Sequence, residues 1–196
     1  MASRWTQAAT ILPPTLEVCG RRLLPFCLRH RVALEAIDSP VLETDKEMSA
    51  EHMLAAVRIL SSYDLKDLRK PPTLRDKYWF MRLTFSRKEL MAEMAKLSVY
   101  IQEQSLWPRF WVKDEGANKA ESFPWPLAVV ASLTRNGCSL AEAWTMPESE
   151  AIWMHIAHCS ASGAEISVVS DKEWDAMEKY KKQEAEEQRN KTKERN

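Results

Sequence analysis

The sequence predicts an all-α protein, an irregular multi-helix bundle with a charged C-terminal helical tail. Only four of the 196 residues are glycine, and tight hairpin turns mostly need glycine or asparagine at positive φ. Long stretches of alternating Val, Ile and Thr are absent, whereas the strong helix formers Ala, Leu, Met, Glu and Lys are abundant. The composition is therefore that of a helical protein with few hairpins.

Charge and hydropathy exclude two classes of partner. The 28 basic and 28 acidic side chains cancel, so no overall positive field favours nucleic acid. No apolar run approaches the roughly 20 residues that cross a bilayer, so we expect a soluble protein without a membrane partner. The four cysteines form no CxxC pair, and the first residues lack the layout of a signal peptide. Free thiols in a reducing cytoplasm are the expectation.

Changes in composition divide the chain into five segments. Proline and glycine without a clear period mark the first segment as an arm laid on the surface, and the last segment is mostly charged and amide side chains with no apolar face. The segments are an N-terminal arm (1–22), an N-terminal helical bundle (23–105), a Trp/Pro-rich connection (106–126), a C-terminal helical subdomain (127–180) and a charged tail (181–196).

Capping signals and apolar spacing predict the helices of the N-terminal bundle. A first helix starts near Pro25 and ends near Asp38, and a capping box of Thr44 and Glu47 starts a second over 45–62. The third helix has apolar side chains at helical spacing, which Trp79 and Phe80 widen; they are Leu74, Tyr78, Met81 and Phe85. A further capping box, of Ser86 and Glu89, begins a long fourth helix.

Three short helices are predicted in the C-terminal subdomain. The first stops at Asn136-Gly137, which has the composition of a left-handed C-cap. Ser139 and Glu142 cap the second, and Thr145 and Glu148 bracket the start of the third. Glu142, Glu148 and Glu150 are thus interpreted as acids that favour the positive end of a helix dipole.

No catalytic signature is present. His155, His158 and Cys159 are of zinc-binding type, but His158 and Cys159 point about 100° apart on a helix, so a fourth ligand such as Cys138 is needed. The chain has no GxSxG, GxxxxGK[ST] or GxGxxG sequence. We therefore expect no enzyme and no cofactor, with a zinc-dependent enzyme built on the HxxHC cluster as an alternative.

Aromatic and methionine side chains are the candidates for a protein-binding surface. Nine Met and eight Trp can fill a core, but Met-rich apolar surfaces also suit proteins that bind a variable client. The aromatics of the connection can pack back onto the helices as a satellite cluster, or they can form a docking surface. The candidate binding residues are Trp107, Phe110, Trp111, Trp125, Trp144, Met146 and Trp153.

Two segments, together about a third of the chain, resemble proteins of phage tail gene modules. LLPFCLRHRVALEAIDSPVL resembles a segment near the start of small proteins from tail-gene clusters of tailed bacteriophages and prophages, where a phrase of the type PFSLGHRLLLERIGSP recurs. FPWPLAVVASLTRNGCSLAEAWTMPESEAIWMHIAH is similar to the helix-turn-helix phrase of phage tail assembly chaperones. The chain departs from the first phrase at Cys27 and Arg29, where Ser and Gly are usual.

This resemblance implies an α-helical protein of the host bacterial cytoplasm. Its expected partners are the tape-measure protein, which such a chaperone shields, and the tail-tube protein, which it recruits. A structural tail or head-completion component of the virion is the alternative.

Overall fold

The computed structural model describes residues 4–10, 14–43, 46–64, 66, 69–112, 124–169, 173–177 and 179–180. Helices dominate this part of the chain, with two short two-stranded antiparallel sheets. The predicted all-α class is confirmed as a mostly helical, multi-helix fold. The α-helices with defined bounds are α1 (Arg4–Ala9), α2 (Leu28–Ala36), α3 (Ala50–Leu60), α4 (Leu74–Phe85), α5 (Arg87–Gln104), α6 (Trp125–Arg135), α7 (Leu140–Thr145) and α8 (Glu148–Ala161), and a 3-10 helix covers Pro40–Leu42. The strands are β1 (Glu17–Val18), β2 (Arg21–Arg22), β3 (Phe110–Val112) and β4 (Ile166–Val168).

Two hydrophobic cores organise the helices. The larger lies among α2, α3, α4 and α5 and includes Leu34, Met53 and Leu83. The smaller lies among α6, α7 and α8, around Leu133, and also receives Leu28 from the first turn of α2. Because α2 contributes to both cores, it is the element that the two helical halves share.

The predicted surface arm contains a hairpin that is part of the larger core. β1 pairs with β2, and the turn residues Cys19 and Gly20 have φ of 48° and 68°. Positive φ at both turn positions is the geometry of a type I′ hairpin. Val18 and Cys19 are buried, and the Cys19 amide donates to the buried Glu93 carboxylate of α5 at 2.7 Å. The hairpin is therefore anchored to the bundle.

The second predicted helix starts later than the sequence indicated. α3 begins at Ala50, with Ser49 as its N-cap in a capping box with His52. The predicted box at Thr44 and Glu47 is wrong as a helix start, since Glu47 precedes α3 and Thr44 lies outside the described residues. His52, at the third helical position, accepts from the cap amide, the role that Glu or Gln has in the usual capping box.

Helix boundaries in the C-terminal half follow the predicted signals more closely. α6 ends at Arg135, followed by Asn136 and by Gly137 at φ 97°. The Ser139 and Glu142 capping box starts α7 as predicted. The charged tail over 181–196 lies outside the described residues. None of the helices in the described ranges is both long and apolar enough to cross a membrane.

Backbone contacts join the two halves beside the start of α8. Cys27 and Pro147 form an isolated antiparallel bridge, and the Glu148 amide donates to the Phe26 carbonyl at 2.7 Å. At the end of α5, the Ser149 hydroxyl donates to the Gln104 carbonyl. The first two contacts join the residues just before α2 to the residues at the start of α8.

Candidate protein-binding surface

The helix α4 carries an apolar stripe that faces solvent. At about 100° per residue, its four members fall within about 60° of arc. Leu74 and Phe85 are 85% and 82% exposed, and the two between them are more than half exposed. We call this set, Leu74, Tyr78, Met81 and Phe85, the α4 stripe.

The opposite face of α4 is the one that packs. Leu83 is buried in the larger core, and Trp79 lies against that core. Asp76 is also on this side, where Arg21 of β2 makes a bidentate ion pair with it, its Nη2 donating to Oδ1 at 2.8 Å. Burial alone raises the pKa of Asp76, but hydrogen bonds from Arg21 and Thr73 hold it below its ordinary value. The inner face of α4 thus has its partners within the chain.

The sequence signal for this arrangement was the number of apolar residues in α4. A helix that covers one core has one apolar face, whereas α4 has the stripe and, about half a turn away, Trp79 and Leu83. Helical spacing identifies the stripe as an apolar face, but whether that face has a partner among the described residues depends on how the other elements pack.

A shallow groove runs beside the stripe. It lies between α3 and α4, has a volume of about 520 Å³, and is lined mainly by apolar side chains such as Leu54, Ala55, Phe80 and Met81. The carboxylate-bearing Glu51 also lines it. Stripe and groove together form a continuous apolar surface that is concave on one side, as in sites that accept an amphipathic helix.

Basic side chains border the α4 stripe. Residues 74–88 include five basic side chains and one acidic one, Asp76, which is buried. Arg82 pairs with Glu89 at 2.8 Å, and Arg75 donates to the uncharged Gly20 carbonyl at 2.9 Å. Lys77, Arg87 and Lys88 are exposed. The surface around the stripe is consequently positive although the whole chain is neutral.

Two of the predicted binding aromatics meet at the junction of the halves. The rings of Trp107 and Trp125 are 5.7 Å apart, edge to face. The guanidinium of Arg31 lies 4.9 Å from the Trp107 ring centre and 5.3 Å from that of Trp125. The Trp107 indole also donates to the buried carboxylate of Glu148 at 3.0 Å. This cluster packs the connection onto the helices, although Trp125 remains 39% exposed.

Three other predicted residues have packing roles elsewhere. Trp144 and Met146 lie partly buried against the smaller core. Trp153 of α8 donates its indole N–H to the Leu106 carbonyl at 3.0 Å and lies 5.9 Å from Trp5 of α1. Trp144 and Met146 thus pack the end of α7 onto the smaller core, and Trp153 packs α8 against α1.

Phe110 and Trp111 belong to β3, which pairs with β4. Phe110 is 39% exposed, and the side chain of Trp111 lies outside what the structure describes. The seven predicted residues thus occupy the junction, the smaller core, the α1–α8 contact and a sheet edge. They do not converge on one groove among the described side chains.

The HxxHC cluster forms a pair on one face of α8. The Cys159 sulfur lies 3.7 Å from Nε2 of His155, one turn earlier. Burial lowers the pKa of His155, and the nearby His158 adds to this. No group of three metal-binding side chains occurs in the part of the chain that the structure describes.

Comparison with known proteins gave no match to a family model, to a curated sequence or to a solved structure.

Proposed function

We propose that this chain is a non-catalytic protein-binding module that acts as a tail assembly chaperone of a tailed bacteriophage or prophage. The resemblance of residues 23–42 and 123–158 to tail-module proteins supports the phage setting. The observation that carries the binding role is the α4 stripe, four large apolar side chains on one exposed helix face. Contiguous exposed apolar surface of this kind is typical of protein interaction sites.

The proposed mechanism is temporary shielding. A long tape-measure helix exposes apolar side chains until tail-tube subunits enclose it, and the α4 stripe with its groove covers such side chains by helix-to-helix contact. The shielding is temporary because tail-tube subunits then displace the chain in the host cytoplasm.

Co-expression tests the role. The tagged chain is produced with the tape-measure gene product of the same cluster, and the two are purified through the tag. We expect the tape-measure protein to co-purify with the native chain and to fall about tenfold with the L74S/M81S/F85S variant. The matched control is L127S/L140S, which changes exposed leucines on α6 and α7. Failure of the native chain to retain the tape-measure protein contradicts the proposal.

Two further outcomes assign a different role or a different site. If mass spectrometry finds the chain in stoichiometric amounts in purified particles, it is a structural tail or head-completion component. If W125S abolishes co-purification and L74S/M81S/F85S does not, the binding site is the aromatic junction and not α4.

A further inference from the structure

We infer that the α4 stripe receives an amphipathic helix whose apolar side chains are flanked by acidic residues. This inference rests on the proposed binding function and specifies the chemistry of the partner. Stripe residues are separated by four, three and four positions, the spacing that keeps one seam of side chains facing another helix. A helical partner with the same spacing covers all four.

The charges beside the stripe specify what flanks that partner. In heptad terms Leu74 and Met81 are d positions, and Tyr78 and Phe85 are a positions. The flanking e positions are then Arg75 and Arg82, and the g positions are Lys77 and Thr84. Side chains at e and g meet those of the partner helix and determine partner choice. Acidic side chains at the facing positions complement this border, whereas basic ones repel it.

A second copy of the chain does not fit this border. In antiparallel pairing of two α4 helices, e positions face e positions, so Arg75 and Arg82 meet arginines. In parallel pairing, e faces g, so the arginines meet Lys77 or Thr84 of the other copy. Neither orientation places an acidic side chain opposite the arginines, and like charges meet in both. Self-association through this face is therefore disfavoured.

The chain's own charged tail also lacks the chemistry of an occupant. Residues 181–196 contain no Leu, Ile, Val, Met, Phe or Trp, so they have no side chains to cover the stripe. An anionic membrane is the remaining competitor, because basic amphipathic helices bind such surfaces. The concave groove beside α4 favours insertion of side chains from a helix over adsorption to a flat anionic surface.

Two synthetic peptides test the inference. Both are three heptads long with leucine at a and d; one has glutamate at e and g, and the other has lysine. Fluorescence anisotropy with the full chain at low salt is expected to show binding of the glutamate peptide at least about tenfold tighter than the lysine peptide. In about 1 M salt, where the screening length is about 3 Å, the difference is expected to shrink.

Variants locate the interaction. R75E/K77E/R82E reverses the charges at the e and g positions and is expected to reverse the peptide preference, whereas R135E/K179E, distant in sequence, leaves it unchanged. L74S/M81S/F85S is expected to lose both peptides, with circular dichroism confirming that the helices remain. Equal affinity for the two peptides, a preference for lysine, or binding that survives L74S/M81S/F85S overturns the inference.

The competing occupants give distinct results. Sedimentation as a dimer that L74S/M81S/F85S converts to a monomer identifies a second copy. Adsorption to phosphatidylserine vesicles, lost in the same variant and without peptide binding, identifies a membrane. Tape-measure binding that needs the stripe but is indifferent to R75E/K77E/R82E overturns the charge inference and leaves the proposed function intact. A preference for the glutamate peptide without binding of the tape-measure protein overturns the proposed function and leaves the charge inference intact.

Discussion

Arg31 of α2 and Glu148 of α8 form a buried bidentate ion pair that joins segments 117 residues apart. The Glu148 side chain is 0% exposed and that of Arg31 is 15% exposed. Burial raises the pKa of Glu148 above its ordinary value, although the guanidinium and the Trp107 indole both favour the charged carboxylate. Arg31 is also enclosed by aromatic rings. The pair therefore unites the two cores through one charged contact.

Replacing Glu148 with Gln is expected to lower the free energy of unfolding by about 3–5 kcal/mol. The amide retains the shape of the side chain but leaves the Arg31 charge largely buried without a counter-charge, and such unpaired buried charges are costly. Urea denaturation followed by circular dichroism measures the change. The control is E142Q, because Glu142 is exposed and a Gln there can retain the capping box.

The coupling between the two residues is measured by a double-mutant cycle with R31M and E148Q. The double variant is expected to be more stable than the sum of the single effects implies, because each change alone leaves a charge or a polar group unmatched. Additive effects contradict the assignment of the pair as the junction.

The contrast between Glu142 and Glu148 illustrates what the sequence can and cannot predict. Both follow a Ser or Thr by three residues, and both were predicted as helix N-terminal acids. For Glu142 this is confirmed, because a capping box depends on residues within one turn. Glu148 is the first residue of α8, whose N-cap is Pro147. The carboxylate of Glu148 binds Arg31. Local spacing holds no information about a partner 117 residues away.

The same reasoning explains α4. Helical spacing identified Leu74 to Phe85 as an apolar face, but whether the face is covered depends on the packing of other elements. Trp79 and Leu83, on the other side, are covered by the hairpin and the larger core. Residue type alone favours the tryptophans as binding residues, but three of them, Trp107, Trp144 and Trp153, are half-buried in contacts within the chain.

Acid is expected to destabilise the protein through His30. This side chain is fully buried beneath Tyr63, whose ring stacks on it at 5.4 Å. Burial lowers the pKa of His30 from 6.5 to about 4. The positive charge of Arg29 contributes to this lowering, whereas the hydrogen bond with the Ser62 carbonyl acts to raise the pKa. As pH falls from 6.5 to 4, the unfolded chain takes up a proton that the folded chain does not. His30 therefore removes about 3 kcal/mol of stability over this window and nothing above it.

Urea denaturation between pH 7.5 and 4 measures this loss in the native chain and in H30Q. The H30Q variant is expected to lose about 3 kcal/mol less over the window than the native chain, whatever its stability at pH 7.5. H52Q serves as the matched control, since His52 is exposed and Gln can maintain the capping box with Ser49. Parallel pH profiles for the native chain and H30Q contradict the prediction.

The four thiols are expected to divide into two reactivity classes. All four cysteines are free. Burial raises the pKa of Cys19 to about 12 and that of Cys27 to about 11, so neither forms the reactive thiolate near pH 8. Cys138 and Cys159 are only partly buried.

Ellman's reagent is expected to modify two thiols in the folded protein and the other two after unfolding. C138S/C159S is expected to show no reaction until it unfolds, and modification of a third thiol in the folded native chain contradicts the assignment.

Gly20 is expected to be a sensitive position because two constraints coincide there. Its φ of +68° strains any residue with a Cβ, and a Cβ at this position lies 2.9 Å from Nε1 of Trp79. The left-handed backbone alone costs about 1–2 kcal/mol, and displacement of the indole from the inner face of α4 adds to it. G20A is therefore expected to lower the free energy of unfolding by more than G163A, whose Cβ meets no atom within 4 Å. Measuring G20A again in a W79F background separates the two constraints: a smaller cost there identifies the indole contact, and an unchanged cost shows that backbone strain alone determines the effect.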